Sequence, residues 1–210
     1  MTTETLTGAE DVVSGRSPWR GRLVMLGLFA AFLGPLGLAA YLYAHLDVWQ
    51  PARRVNHGEL LLPTRPLPLL VAEDEAGRPV TLERLRGRWT YVYVAQGPCD
   101  LYCQAALFKL RQGRALLGRD LTRVQLVYLA LDEAAANSLQ WLRPDHPALL
   151  GARVPAARAD AQQAAFGDDS PGYIYLLDPH GNLVLRYGRD ARTKGMLKDI
   201  HRLLKVSSIG

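Results

Sequence analysis

The sequence predicts an α/β sandwich carried behind one N-terminal membrane-spanning helix, and three observations predict it. From Leu67 to Val206 strand-like and helix-like stretches alternate, the pattern of a sheet covered by helices. A run from Leu23 to Leu46 contains no Asp, Glu, Lys or Arg, and about 20 apolar residues are enough to cross a hydrocarbon core. Both cysteines, Cys99 and Cys103, fall where an aromatic and β-branched run breaks at Gly97-Pro98 and a helical pattern begins.

Composition narrows the function classes. With 210 residues, 49% of them hydrophobic and 21% charged, the chain can bury one real core beside an accessory segment. The net charge of +5 comes largely from scattered arginines, with Lys109, Lys194, Lys198 and Lys205 the only lysines. No basic block interleaved with aromatics is present, so the charge reads as a solvated surface and no nucleic-acid partner is expected. Two cysteines cannot build a disulfide-rich scaffold, and a close pair in a chain of this size points to redox or metal chemistry. No G-x-S-x-G, phosphate loop or H-E-x-x-H occurs, and the carboxylates show no pairing that suggests hydrolysis.

In order along the chain, residues 1–22 are polar and read as a cytoplasmic tail, and 23–46 as the transmembrane helix. Pro35 is tolerable inside such a helix, while Tyr41, Tyr43 and Trp49 resemble an interfacial belt, with His45 marking the same boundary. A cleaved signal peptide is the other reading, with Gly37-Leu-Ala39 as its cleavage site, but the apolar run continues past it. Arg16, Arg20 and Arg22 lie closer to the span than Arg53, Arg54 and Arg65, which places the N-terminus inside and the cysteines on the outer, periplasmic side. The proline-rich stretch 47–66 reads as a linker and 67–206 as the folded domain.

Within that domain, two short apolar runs around Glu75-Ala-Gly77 predict a hairpin, and Glu83 to Gly87 a short helix or turn. Trp89-Thr-Tyr-Val-Tyr-Val-Ala95 reads as a buried strand, followed by a helix on which Leu101, Ala105, Leu107, Phe108, Leu110, Leu116 and Leu117 recur at mostly helical spacing. Thr122 to Asp132 is a second core strand, Glu133 to Leu142 a helix, and Pro155 to Phe166 an alanine-rich helix. Tyr173–Leu177 and Asn182–Tyr187 form a second hairpin around Asp178-Pro-His-Gly181, and Thr193 to Val206 closes the chain as an amphipathic helix.

The candidate site is the cysteine pair. Residues four apart at the start of a helix share a face about one turn apart, within reach of a disulfide or of one shared metal ion. The unpaired N–H groups and dipole of a helix N-terminus also favour a thiolate there. Asp100 reads as the cap of that helix, with a raised thiol pKa as the other reading. His57, His146, His180 and His201 read as linker, loop, turn and solvated helix residues.

Taken together, Gly77-Arg-Pro-Val-Thr-Leu82, Leu85-Arg-Gly-Arg-Trp89, the strand running into Cys99 and Cys103, Leu131-Asp132 and Tyr175-Leu-Leu-Asp-Pro-His-Gly181 resemble the Sco/SenC group of thioredoxin-fold proteins over about Leu67 to Leu204. The resemblance implies a thioredoxin-like sandwich. It also implies a membrane-anchored protein of the bacterial inner membrane, one copper ion held by Cys99, Cys103 and a distant histidine, and a role in building the copper centre of cytochrome c oxidase. The implied partner is an oxidase subunit or another assembly factor. Counting back from Gly181 puts Ser170 at the histidine position, and Gln104 stands where a proline usually follows the second cysteine. Pro171 lies one place from the cis-proline that faces the sulfurs in thioredoxin-like proteins. Two thiolates without an imidazole suit Cu(I) and hold Cu(II) poorly.

Three readings follow. The first is an oxidase assembly factor using Cys99 and Cys103 as a Cu(I) carrier or as a reductant of copper-site cysteines. The second is a general membrane-tethered thiol–disulfide oxidoreductase, with Cys99 attacking. The third is a scaffold subunit in which the pair forms only a structural disulfide.

Overall fold

The computed structural model describes residues 18–44, 56–68 and 70–207, and the chain divides into two units, Met1–Arg53 and Arg54–Gly210. The first unit contains helix α1 (Pro18–Ala44), 27 residues with Pro35 inside it. At 1.5 Å per residue the helix is about 40 Å long, and Trp19–Ala44 is long and apolar enough to cross a membrane. The helix starts before the uncharged run and takes in Arg20 and Arg22, whereas His45, Leu46, Trp49 and residues 1–17 lie outside the described residues.

The second unit is built on an eight-stranded sheet with helices on both faces. Its strands are β1 (Glu59–Pro66), β2 (Ala72–Glu73), β3 (Pro79–Val80), β4 (Trp89–Ala95), β5 (Val124–Ala130), β6 (Leu149–Arg153), β7 (Ile174–Leu177) and β8 (Asn182–Tyr187), in the order β1-β8-β7-β4-β5-β6-β2-β3. Strand β4 runs parallel to β5 and antiparallel to β7, and all seven of its residues are buried. Burial on both faces is why its sequence is a continuous aromatic and β-branched run rather than an alternation. Its period of two divides the core. Tyr91, Tyr93 and Ala95 pack with α3 (Leu101–Ala115), α4 (Glu133–Leu142) and α6 (Thr193–Val206), while Val92 and Val94 face the side of the β2–β3 hairpin, α2 (Leu82–Leu85) and α5 (Ala159–Phe166).

The parallel steps β4 to β5 and β5 to β6 use α3 and α4 as crossovers, and this carries the C-terminal end of β4 directly into the N-terminus of α3. The fold class is the α/β sandwich expected from the sequence, led by a candidate membrane span.

Two strands lie where the sequence reading has none. Glu59–Pro66, inside the expected linker, pairs antiparallel with β8 from Glu59↔Arg186 to Pro66↔Asn182, with a register shift between Leu60 and Arg65. Pro63 and Pro66 mask the strand pattern, yet an edge strand tolerates residues that cannot donate to a ladder. Just before it, the His57 and Gly58 N–H groups donate to the buried Asp199 carboxylate on α6 at 2.9 Å, which fastens the start of this unit to its last helix. Strand β6 is hidden by its brevity and by Gly151, which lies under Leu139. A Cβ there would stand 2.7 Å from Leu139 Cδ1.

Candidate thiol–disulfide site

The strand-to-helix junction is held by local and distant polar contacts. Gly97 turns the chain at φ 73°, a conformation open to glycine, and its N–H donates to Asp132 Oδ2 at 2.8 Å. Asp132 also caps α4 through Ala135 N–H at 2.8 Å, so one carboxylate ties the turn after β4 to the turn after β5. Asp100 caps α3, its Oδ1 accepting from Cys103 N–H at 2.9 Å, and the capping reading of Asp100 holds. Cys99 N–H donates to Ser138 Oγ at 3.0 Å, and that hydroxyl donates to Ala134 O at 3.1 Å.

These contacts set the sulfurs. Cys99 and Cys103 form a disulfide with Cα atoms 5.2 Å apart, spanning the first turn of α3. Cys99 is 8% exposed and Cys103 3%. The cleft around them is lined by Tyr93, Gly97, Pro98, Asp100, Tyr102, Tyr128, Pro171, Gly172 and Arg189. Tyr93 and Tyr128 stack with ring centroids 5.9 Å apart, and Tyr128 OH donates to Ala135 O at 3.1 Å. Burial pushes the Tyr93 phenol up to about 12, with Asp100 adding to the rise and Arg189 opposing it, and burial likewise raises Tyr128. Both phenols stay protonated at neutral pH and give the cleft a neutral aromatic floor. Arg189 stacks on Tyr102 with its guanidinium carbon 4.8 Å from the ring centroid, and Lys109 Nζ donates to its backbone oxygen at 2.9 Å.

Pro171 does reach the cleft, but the Ser170–Pro171 peptide is trans. Ser170 is fully buried and outside the cleft lining, its hydroxyl turned to Gln163 O at 3.4 Å. His57 lies on Asp199, His146 on the Leu142 carbonyl, and His180 in its turn with its N–H on Asp178 Oδ1. None of these, nor His201, lines the cleft.

Among the described residues no group of three His, Cys, Asp or Glu side chains is arranged to hold a metal. Reduced to two thiols, Cys99 and Cys103 fit Cu(I), a soft ion that accepts low coordination, and offer Cu(II) no imidazole.

Ser138, Asp132 and Arg189 are the contributors that sequence reasoning did not assign. Ser138 had a signal as the hydroxyl among Ala135, Leu139 and Leu142 on the buried face of α4. Asp132 stands at the end of the second core strand, where a lone acid signals no more than a turn. Arg189 had none, because its place depends on β8 returning alongside β7.

A family model described as transmembrane-like, thioredoxin-like, C-terminal domain matches residues 89–207. The mitochondrial SCO2 homolog of Mus musculus is 28% identical over an alignment 211 positions long, covering 87% of this chain and 78% of that protein. Yeast Sco1 solved with copper bound superposes with a TM-score of 0.60 at 22% identity, over 69% of this chain and 95% of that one. BsSco, whose structure is described as revealing a disulfide switch in a member of the Sco family of cytochrome c oxidase assembly proteins, gives 0.57 at 12% identity, over 71% and 99%.

Proposed function

The chain belongs to the transmembrane-like, thioredoxin-like C-terminal-domain family and is a Sco/SenC-like thioredoxin-fold protein, and from that premise we propose that it is a membrane-anchored assembly factor for a respiratory cytochrome c oxidase. In this reading Cys99 and Cys103 reduce the copper-site cysteines of the oxidase. The observation that carries it is the sulfur pair itself, joined as a disulfide on the capped first turn of α3, in a cleft that no histidine among the described residues lines. The helix N-terminus favours the thiolate that such chemistry needs.

The exchange balances within the two partners. The Cys99 thiolate attacks one sulfur of a client disulfide, forming a mixed disulfide and releasing one client thiolate. Cys103 then attacks Cys99 Sγ, which releases the second client thiolate and leaves the Cys99–Cys103 disulfide. Two electrons pass to the client, whose thiolates take up the protons, and an upstream dithiol reductant returns the pair to its reduced state. Cys99 is assigned the attack because it is the more exposed residue of the two.

A second reading, carriage of Cu(I) as cargo between the two thiolates, is supported by the copper-bound state of yeast Sco1 and by the softness of the donors. The site is proposed to face the periplasm of a bacterial inner membrane, with α1 as anchor, on the strength of the arginines that precede its uncharged run.

Replacing the chromosomal copy by a Cys99→Ser, Cys103→Ser chain tests the reading. We expect loss of oxidase activity with normal amounts of the variant in the membrane. Wild-type oxidase activity from the double-serine chain would reduce the protein to a scaffold.

A further inference from the structure

Helix α6, remote in sequence from the cysteines, carries a positive outer face. Lys194, Lys198, Arg202 and Lys205 are exposed at helical spacing, on the side away from Met196, Ile200 and Leu204, which enter the core. The three lysines enter no ion pair among the described residues. The one acid of the helix, Asp199, is 1% exposed and accepts from His57 N–H, Gly58 N–H and Tyr187 OH.

The charges around this face do not cancel it. Helix α3, which shares a crevice with α6, brings Lys109 and Arg114 to it and has no acid from Leu101 to Ala115. The acids at the two ends of α6 each come with an arginine: Asp190 lies two residues before Arg192, and Asp120 pairs with Arg123, which also reaches Leu204 O. On β1, Glu59 pairs with Arg186. The same strand leaves Leu60 and Leu62 exposed, while Leu61 between them packs on the α5 side of the sheet.

The place where the chain enters the domain selects the occupant. Residues 45–55 separate the end of α1 from Asn56, a reach of at most about 45 Å when fully extended. Directly after them, His57 and Gly58 are held on Asp199 of α6 itself. With α1 in a membrane, α6 stays close to the lipid surface at a high effective concentration, an advantage that no diffusing acidic protein has. Basic side chains within a Debye length of anionic headgroups are drawn to them. We propose that the exposed face of α6 rests on anionic lipid headgroups of the membrane that α1 enters, and so limits how freely the domain turns on its tether. The proposal rests on the anchor reading of α1.

The test uses the full chain with its disulfide intact, so that the thiol introduced by His201→Cys, among the lysines, or by Ala164→Cys, on α5 across the sheet, alone takes a fluorophore. Each labelled chain is placed in nanodiscs of phosphatidylcholine, with or without about one-third phosphatidylglycerol, that carry a headgroup nitroxide. Quenching at position 201 is expected to be about twofold or more stronger with the anionic lipid than without it, and stronger than at position 164. It should fall to the neutral-lipid level at about 1 M salt, where the Debye length is about 3 Å. Lys194→Glu with Lys198→Glu and Lys205→Glu should abolish the lipid difference. Equal quenching in the two discs, equal quenching at the two positions, or a lipid difference that survives both high salt and the triple variant would overturn the proposal. Absence of quenching from both discs would overturn it too and leave the face to an acidic protein. If alkaline carbonate strips the chain from proteoliposomes, the anchor reading falls and takes the proposal with it. A chain that stays embedded without lipid-dependent quenching refutes the α6 surface alone.

Discussion

At the scale of single residues, the site depends on a few short polar contacts, and each predicts its own loss. Asp100→Ala removes the acceptor for Cys103 N–H and is expected to cost about 1 kcal/mol, read as a lowered urea midpoint. Ser170→His places the family's residue type at the matching position, but the native hydroxyl there faces Gln163 and is fully buried, away from the sulfurs. The enlarged side chain should cost about 1–3 kcal/mol by overpacking and add no Cu(II) affinity to the reduced protein. A marked gain in Cu(II) binding in a titration would show that the segment before β7 swings its side chain into the cleft. Cys99, Cys103 and Asp100 were legible in sequence because their relation spans one helical turn. Ser138 and Arg189 were not, since they join the site across 39 residues in one case and through the return of β8 in the other.

At the scale of elements, the hairpin β2–β3 shows how a turn is stabilised by charge. Asp74 accepts Arg78 N–H at 2.9 Å and Ala76 N–H at 3.0 Å, with Arg84 reaching its other oxygen at 3.0 Å. The Arg78 backbone bond does most to hold the carboxyl below its usual 3.8, to about 2, with burial opposing and the Arg84 guanidinium assisting. A depressed folded-state pKa means the contribution is present in full above the ordinary carboxylate range and is lost as pH falls toward 2. The difference in urea midpoint between wild type and Asp74→Asn should therefore be constant from neutral pH down to about 5 and shrink between about 4 and 2. A gap that persists unchanged below that window would contradict the assignment. Elements with strong periodicity, such as β4, β5, α4 and α6, were readable because burial dictates their pattern. Strands β1 and β6 were not, because proline at an edge and a glycine packed under a leucine erase the alternation that reveals a strand.

At the scale of the whole molecule, the proposed account joins an anchor, a thioredoxin-like sandwich and a sulfur pair presented at one end of the sheet. The candidate span and the sandwich were legible from charge-free length and from alternation. The serine at the histidine position of the Sco/SenC pattern was legible only through that pattern, and the structure buries it with its hydroxyl turned to Gln163 O. The measurement that tests the central claim most directly is trapping of the exchange intermediate. Cys103→Ser removes the resolving thiol, so the full chain expressed in its membrane should accumulate a mixed disulfide between Cys99 and a copper-site cysteine of the oxidase, seen on a non-reducing gel and lost on reduction. The same adduct should be missing from Cys99→Ser. No adduct from Cys103→Ser, in cells where the double-serine chain still supports the oxidase, would contradict the account.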